Sequence, residues 1–325
     1  MELSRVYANE NVLNTLTSMI SSGRLCHAFL LFGEKGLGKK TIARFCAQKI
    51  LCEGDGETPC MRCKACKMIL HGTHPDVVHI SHNEDSKGFR IDNIRKICAD
   101  AFIKPNEGEY KIYIFEDCDN MPPLSQNALL KLIEEPPAHA VFIFTASSKG
   151  MLLPTVISRV ISLGVCGVSK EQCFQALSDS GAFDASQIEQ AAEVFGSNIG
   201  MCLEYLNGKE LKAAVLAARE ISDKILSDEY SLLRSVCFIG KDKQLLKTVL
   251  GLMAGIIRDA VSVKLECETL IGCYTSGSER LSARLTLRQA DELFRLLGET
   301  SQRLDGNASM PLTLSALCSG IKSIV

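Results

Sequence analysis

Apolar and polar positions along this chain fall into two regimes. Up to about residue 166, short apolar runs alternate with stretches whose apolar positions recur every three or four residues. The runs at 27–32, 75–80, 111–115, 141–145 and 160–163 read as strands. Helical spacing appears over 12–22, through Val12, Leu13, Leu16 and Ile20, and again over 41–50. It returns from about Asp92 to 102, through Ile94, Ile97, Cys98 and Ala101, and over 125–133, where Pro136 and Pro137 stop it. Strands alternating with helices predict a mostly parallel sheet covered on both faces.

After about Gly167 the strand signals cease. Ser169 and Gln172 have the spacing of a capping box, which opens the first of several short helices reaching Asn207. From Lys209 longer helical patterns dominate. One apolar stripe runs through Leu245, Val249, Met253, Ile256, Ala260 and Val263, and another through Leu287, Ala290, Leu293, Phe294 and Leu297. The expected layout is an α/β domain over 1–166, a small helical domain over 167–208 and a helical C-terminal domain over 209–325.

Composition narrows the class. At 325 residues, 46% hydrophobic and 23% charged, the chain has the makeup of a globular protein with room for two or three domains. A net charge of −2 argues against a nucleic-acid binder with one dominant basic face. The opening residues show no basic-plus-apolar signal, and the apolar stretch at 245–257 carries Lys247 and is too short to span a bilayer. Fifteen cysteines without such a signal suggest reduced thiols and a cytoplasmic protein.

Candidate chemistry begins where the first strand ends. Leu31-Phe32-Gly33-Glu34-Lys35-Gly36-Leu37-Gly38-Lys39-Lys40-Thr41 places three glycines and a lysine between a strand and a helix. That context suits a phosphate-cradling loop, because glycines turn backbone N–H groups toward an anion and the helix N-terminus adds positive potential. The pattern G-x-x-x-x-G-K-[ST] is met at Gly33, Gly38 and Lys39 and fails at Lys40, where a hydroxyl should hold magnesium. Thr41 comes one residue late, about 100° further round the helix. A nucleotide scaffold is present without its metal clamp. Lys39 and the glycines could hold a nucleotide weakly, or be a relic loop shaped by backbone geometry.

Cys52, Cys60, Cys63 and Cys66 form a C-x7-C-x2-C-x2-C cluster. Four thiolates can enclose a tetrahedral zinc with no open position, which makes the expected site structural. An iron–sulfur cluster would need a redox context that nothing here supplies. His71 or His74 could replace one cysteine, and four free thiols are the plain alternative. A zinc here would staple a module poor in apolar residues, over about 52–70.

Further motifs then converge in order. Gly23-Arg24-Leu25-Cys26-His27-Ala28-Phe29-Leu30 leads into the glycine loop, and the cysteine insertion follows. Next come Lys111-Ile112-Tyr113-Ile114-Phe115, Asn127-Ala128-Leu129-Leu130-Lys131-Leu132-Ile133-Glu134-Glu135-Pro136-Pro137 and Leu153-Pro154-Thr155-Val156-Ile157-Ser158-Arg159. With these, residues 1 to about 165 resemble the AAA+ clamp-loader subunits of bacterial DNA polymerase III, most closely those of the delta prime kind. The resemblance implies an AAA+ α/β P-loop domain with a zinc-binding insertion, a small helical lid domain and an all-α C-terminal collar that joins other subunits. It implies gamma/tau and delta subunits as partners, through the collar and the AAA+ interfaces. The assembled complex would load a sliding clamp onto primed DNA, in the cytoplasm at replication forks and with no membrane involved.

Measured against that family, three departures oppose ATP turnover. Lys40 replaces the metal-binding hydroxyl. Active members end the second acidic strand with Asp-Glu, whereas here Glu116 and Asp117 reverse the order, and a shift of about 1 Å can cost on the order of a hundredfold. Met201 stands where active members carry a phosphate-sensing arginine in the lid helix. Glu116 and Asp117 also read as simple strand-end solvation. In the family, the arginine of a Ser-Arg-Cys motif reaches across an interface to a neighbour's ATP. Ser158-Arg159-Val160 keeps that charge, which makes Arg159 the expected trans-acting arginine finger. Two rivals are an ATP-hydrolysing gamma/tau-type subunit and an independent P-loop kinase; the kinase reading leaves Ser158-Arg159 and the helical C-terminal region unexplained.

Overall fold

The computed structural model describes residues 6–22, 25–54, 56, 58–81, 88–240, 242–267, 270, 272–306 and 309–325. Gly23 and Arg24 of the run before the glycine loop lie outside the described residues. Two units divide the chain, Met1–Val168 and Ser169–Val325.

The first unit runs α1 (Glu10–Ser21), β1 (Ala28–Phe32), α2 (Lys39–Leu51), α3 (Lys64–Leu70), β2 (Val77–Ser81) and α4 (Ile91–Asp100). It continues with β3 (Lys111–Glu116), α5 (Pro123–Glu134), β4 (Ala140–Ala146), α6 (Pro154–Ile157) and β5 (Ile161–Gly164). The five strands pair in parallel in the order β2-β3-β4-β1-β5. Pairing brings Leu30 opposite Phe144 and Phe115 opposite Phe144, so β1, β3 and β4 end together.

Apolar residues alternate between two faces, and each face has its own core. Leu30, Tyr113, Phe115, Phe142 and Phe144 pack with residues of α4, α5 and α6 on one side. Phe29, Leu31, Ile112, Ile114 and Ile143 pack with α1, α2 and α3 on the other. Both faces are therefore dry, which explains why these strands read as unbroken apolar runs. Phe115 and Phe144 stack at 4.7 Å between centroids and continue the strand register into the core.

The second unit is helical among its described residues: α7 (Lys170–Asp179), α8 (Ala185–Phe195), α9 (Ile199–Asn207), α10 (Lys209–Lys224), α11 (Glu229–Ile239), α12 (Lys243–Lys264), α13 (Thr275–Arg284), α14 (Leu287–Asp305) and α15 (Met310–Ile324). The Ser169/Gln172 capping box is formed, with both reciprocal bonds present. Val194 of α8 shares a core with Leu211, Leu250, Leu293 and Leu317.

The stripe expected on α14 is narrower than the sequence suggested. Ala290, Leu293, Leu297 and Leu304 are buried, while Leu287 and Phe294 stand 45% and 49% exposed. At about 100° per residue, Leu287 and Phe294 lie roughly 70–90° round from the centre of the buried row. They flank the seam instead of filling it.

Candidate functional site

The glycine loop leaves β1 and enters α2 as the sequence anticipates. Gly33 donates to Ala146 O across the strand ends, and a Cβ at this position would meet Val165 O at 2.4 Å. Gly36 and Gly38 hold φ of 88° and 82°, the left-handed region that glycine adopts without strain. Gly38 is the N-cap of α2 and has no side chain to satisfy the first-turn N–H groups. Those donors face the loop, where an anion would sit.

Lys39 curls back over the loop. Its Nζ donates to Gly33 O at 2.5 Å and Glu34 O at 2.8 Å, and only 7% of the residue is exposed. Burial pulls its pKa below the ordinary lysine value. Thr41 lies half-buried one residue beyond the loop, on α2.

The next residue carries the site's main departure. Lys40 Nζ lies 2.7 Å from an Asp117 carboxylate oxygen and 3.1 Å from Glu116 Oε2. Burial works against this ammonium, yet its bonds to Asp117 and Glu116 outweigh burial and raise its pKa. Burial would also raise Glu116, but His79 and Lys40 together hold its carboxyl below the ordinary value. Asp117 takes φ 55° and ψ 57°, a left-handed conformation unusual for a side-chain residue, as the chain leaves β3. The loop and the acidic pair are therefore joined by a lysine.

Magnesium does not fit this donor set. It requires oxygen ligands at about 2.0–2.1 Å in a near-octahedral array. An ammonium fills the place between the two carboxylates, and it is itself a donor, not a ligand.

Two supporting groups escaped the sequence reading. His79 of β2 places Nδ1 at 2.9 Å from Glu116 Oε1. Thr145, fully buried at the end of β4, accepts a hydrogen bond from Asp117 N at 2.9 Å. Each is a polar residue inside an apolar strand run, and that interruption was the available signal. Asp119 secures the adjacent turn by accepting from Ser147 N and Oγ at 2.8 and 2.5 Å.

Cys52, Cys60, Cys63 and Cys66 come together with all four sulfurs within 4.8 Å of one another. A zinc with Zn–S of about 2.3 Å would hold tetrahedral sulfurs roughly 3.8 Å apart, so a small contraction closes the site. Three of the sulfurs accept backbone N–H bonds: Cys52 from Cys60, Cys60 from Cys63 and Cys63 from Cys66, at 3.3–3.4 Å. The N–H groups of Arg62 and Cys63 favour the Cys60 thiolate and lower its pKa to about 6, whereas burial pushes Cys66 up. The donor set fits a structural metal. His74 is committed elsewhere, its Nδ1 accepting from Asp76 N at 3.1 Å. Gln48 and Lys49 of α2 donate to Cys66 O and Thr58 O at 2.9 and 2.8 Å, which ties the cysteine module to the helix that begins at the loop.

Arg159 follows α6 on the surface. Its Nε lies 2.5 Å from Glu134 Oε1 and its Nη1 donates to Thr155 O at 2.8 Å. Met201, in the second unit, donates its backbone N–H to the Asn198 side chain and packs beside the helical core.

A parallel sheet in which β1 feeds a glycine loop, with carboxylates ending β3, the second strand over, defines a phosphate-loop α/β domain. Residues 8–166 match the family described as DNA polymerase III, delta subunit. A DNA polymerase III subunit gamma of Buchnera aphidicola is 31% identical over 53% of this chain and 47% of its own length. The tau/gamma subunit of Haemophilus influenzae is 28% identical over 94% of this chain and 41% of its own. The chain thus spans less than half the length of these curated relatives. A solved gamma subunit-related protein of Thermotoga maritima is 18% identical over 95% of this chain and 98% of its own, with a TM-score of 0.41. The likeness lies in the α/β unit, which is similar in sequence to subunits of DNA polymerase III. Among the described residues, no helix is long and apolar enough to cross a membrane.

Proposed function

We propose that this chain is a non-hydrolysing, delta prime-type subunit of the DNA polymerase III clamp loader. The observation that carries the reading is Lys40, bonded to both Glu116 and Asp117. In phosphate-loop ATPases the metal neutralises charge on the transferred phosphoryl group and is held by a loop hydroxyl and a carboxylate. Here the loop supplies an ammonium in place of the hydroxyl, and that ammonium engages the carboxylates. The reversed order of Glu116 and Asp117, and Met201 in the lid helix, point the same way.

In this reading residues 1–166 are the AAA+ domain, 167–208 the lid and 209–325 the collar that meets gamma/tau and delta subunits. Zinc bound by the four cysteines stiffens the insertion at about 52–70. Arg159 crosses an interface to a neighbour's ATP, and the assembled ring places the sliding clamp on primed DNA in the cytoplasm. A guanidinium suits that task because it is always charged and presents a planar fork to phosphate oxygens.

A second reading, an ATP-hydrolysing gamma/tau-type subunit, is favoured by the names of the relatives and by the retained Lys39. Phosphate release from Mg-ATP separates the two. The isolated chain should release none above background, while a loader reconstituted with gamma/tau and delta partners should turn over. Release by the isolated chain that Lys39→Ala abolishes would establish the second reading instead.

A further inference from the structure

We propose that residues 33–41 bind a nucleoside di- or triphosphate without a divalent cation, the Lys40 ammonium standing where the metal would. The inference rests on the reading of this segment as a phosphate loop and goes on to state what form of ligand it accepts. It follows from the misfit of magnesium to the site.

Three features favour a polyphosphate. The first-turn N–H groups of α2 have no side-chain cap. Lys39 keeps a buried ammonium on two loop carbonyls, Gly33 O and Glu34 O, bonds it can exchange for phosphate oxygens. Lys40 adds a second positive charge at the start of the same helix. An ammonium carries three donors, and Asp117 and Glu116 take two, leaving one N–H for a phosphate oxygen.

The charge balance decides which ligand enters. Lys39 and Lys40 are offset by Glu116 and Asp117, and His79 engages the second oxygen of Glu116. A magnesium-chelated nucleotide would bring a divalent cation against an ammonium already between the carboxylates. Like charges in that space repel, and neither carboxylate can turn to the metal without releasing Lys40. A metal-free nucleotide meets no such opposition. Its affinity should therefore fall as magnesium rises, the reverse of a loop that ends in Lys-Thr or Lys-Ser. The ammonium imposes no octahedral geometry and orients no attacking water, so binding of this kind does not imply turnover.

The test is calorimetric titration of the full chain with ATP, once in EDTA and once in excess magnesium. Wild-type protein should bind in EDTA and bind more weakly in magnesium. Lys40→Ser should lose about tenfold or more in EDTA, the worth of a charge-assisted hydrogen bond, and regain affinity when magnesium is added. Lys39→Ala should lose binding in both buffers, with thermal unfolding confirming that each variant is folded. Wild-type binding that requires magnesium, or no wild-type binding in EDTA, overturns the proposal without recourse to any variant. The outcome is separable from the proposed function, because the titration reads binding and its dependence on magnesium while the phosphate-release assay reads turnover. Failure to bind in EDTA would remove this inference and leave the ring-subunit reading intact.

Discussion

Arg159 is held by Glu134 at 2.5 Å, and the two residues close a bridge between the segment after α6 and the end of α5. Both side chains are more than a third exposed, so solvent screens the pair and it contributes little to stability. The bridge and the bond to Thr155 O instead limit where the guanidinium can go. A phosphate group offers stronger charge-assisted bonds than one exposed carboxylate, and can take the arginine from Glu134 when a partner presents it.

Arg159→Ala should therefore leave the melting temperature nearly unchanged and still depress ATP turnover by the reconstituted loader. Trans-acting arginines in NTPases are worth about 10³–10⁵ in rate, so under the proposed reading the neighbour's site should lose at least tenfold. Arg159→Lys should recover only part, because an ammonium cannot form the bidentate contact. Unaltered phosphate release by a loader carrying Arg159→Ala would remove the role.

Metal analysis should find one zinc per chain, and Cys63→Ser should abolish it. Cys63 is both a ligand in this reading and the N-cap of α3, accepting from Cys66 N, so two local supports fail together. Because α2 grips the module through Gln48 and Lys49, loss of zinc should lower the melting temperature and leave the sheet folded. Full zinc occupancy in the variant would point to a different ligand set.

Gly33 and Gly38 are glycines for different reasons, and substitution should separate them. Gly33→Ala drives a methyl into Val165 O at 2.4 Å, against backbone beside the sheet, and should cost about 1–3 kcal/mol by overpacking. Gly38→Ala meets no atom within 4 Å but must hold φ of 82°, which costs about 1–2 kcal/mol. Denaturant midpoints check both. Equal stability of Gly33→Ala and wild type would mean that the loop and Val165 move apart readily.

Much of this architecture was legible because parallel strands buried on both faces leave an unmistakable apolar run. The runs through Phe29, Phe115 and Phe144 became β1, β3 and β4 within a residue or two of their expected ends. The cysteine cluster was legible for a similar reason, since two three-residue spacings bring thiols together whatever surrounds them. The Lys40 bridge was hidden. Sequence marks Lys40 as a missing hydroxyl, but only the fold brings α2 beside the end of β3 and converts a loss into a contact. His79 and Thr145 were hidden too, because their partners are 37 and 28 residues away. On α14, a stripe chosen by spacing alone took in Leu287 and Phe294, since periodicity locates a face more surely than its edges.

Asp76 provides a test of stability that is independent of the ligand site. It is fully buried just before β2, and its carboxylate accepts from Asn106 N and Nδ2 at 2.5 and 3.0 Å, Glu107 N at 2.8 Å and Gly108 N at 2.9 Å. Burial alone would raise its pKa, but these N–H donors outweigh it and hold the group below the ordinary aspartate value. With the folded pKa depressed, the contribution is complete above the unfolded value, near pH 4, and is lost as pH falls through the folded pKa. Unfolding free energy should thus be level in Asp76 above about pH 4 and fall below it by up to about 1.4 kcal/mol per pH unit from this one proton. Asp76→Ala strands three backbone N–H groups and should cost about 3–5 kcal/mol at neutral pH, as breaking a buried charged network does. Asp76→Asn should be intermediate, since one acceptor oxygen remains, and its stability should vary less between pH 5 and pH 3 than that of wild type. Urea unfolding of the two proteins across that range decides the matter, and parallel curves would show that the Asp76 proton plays no part in acid unfolding.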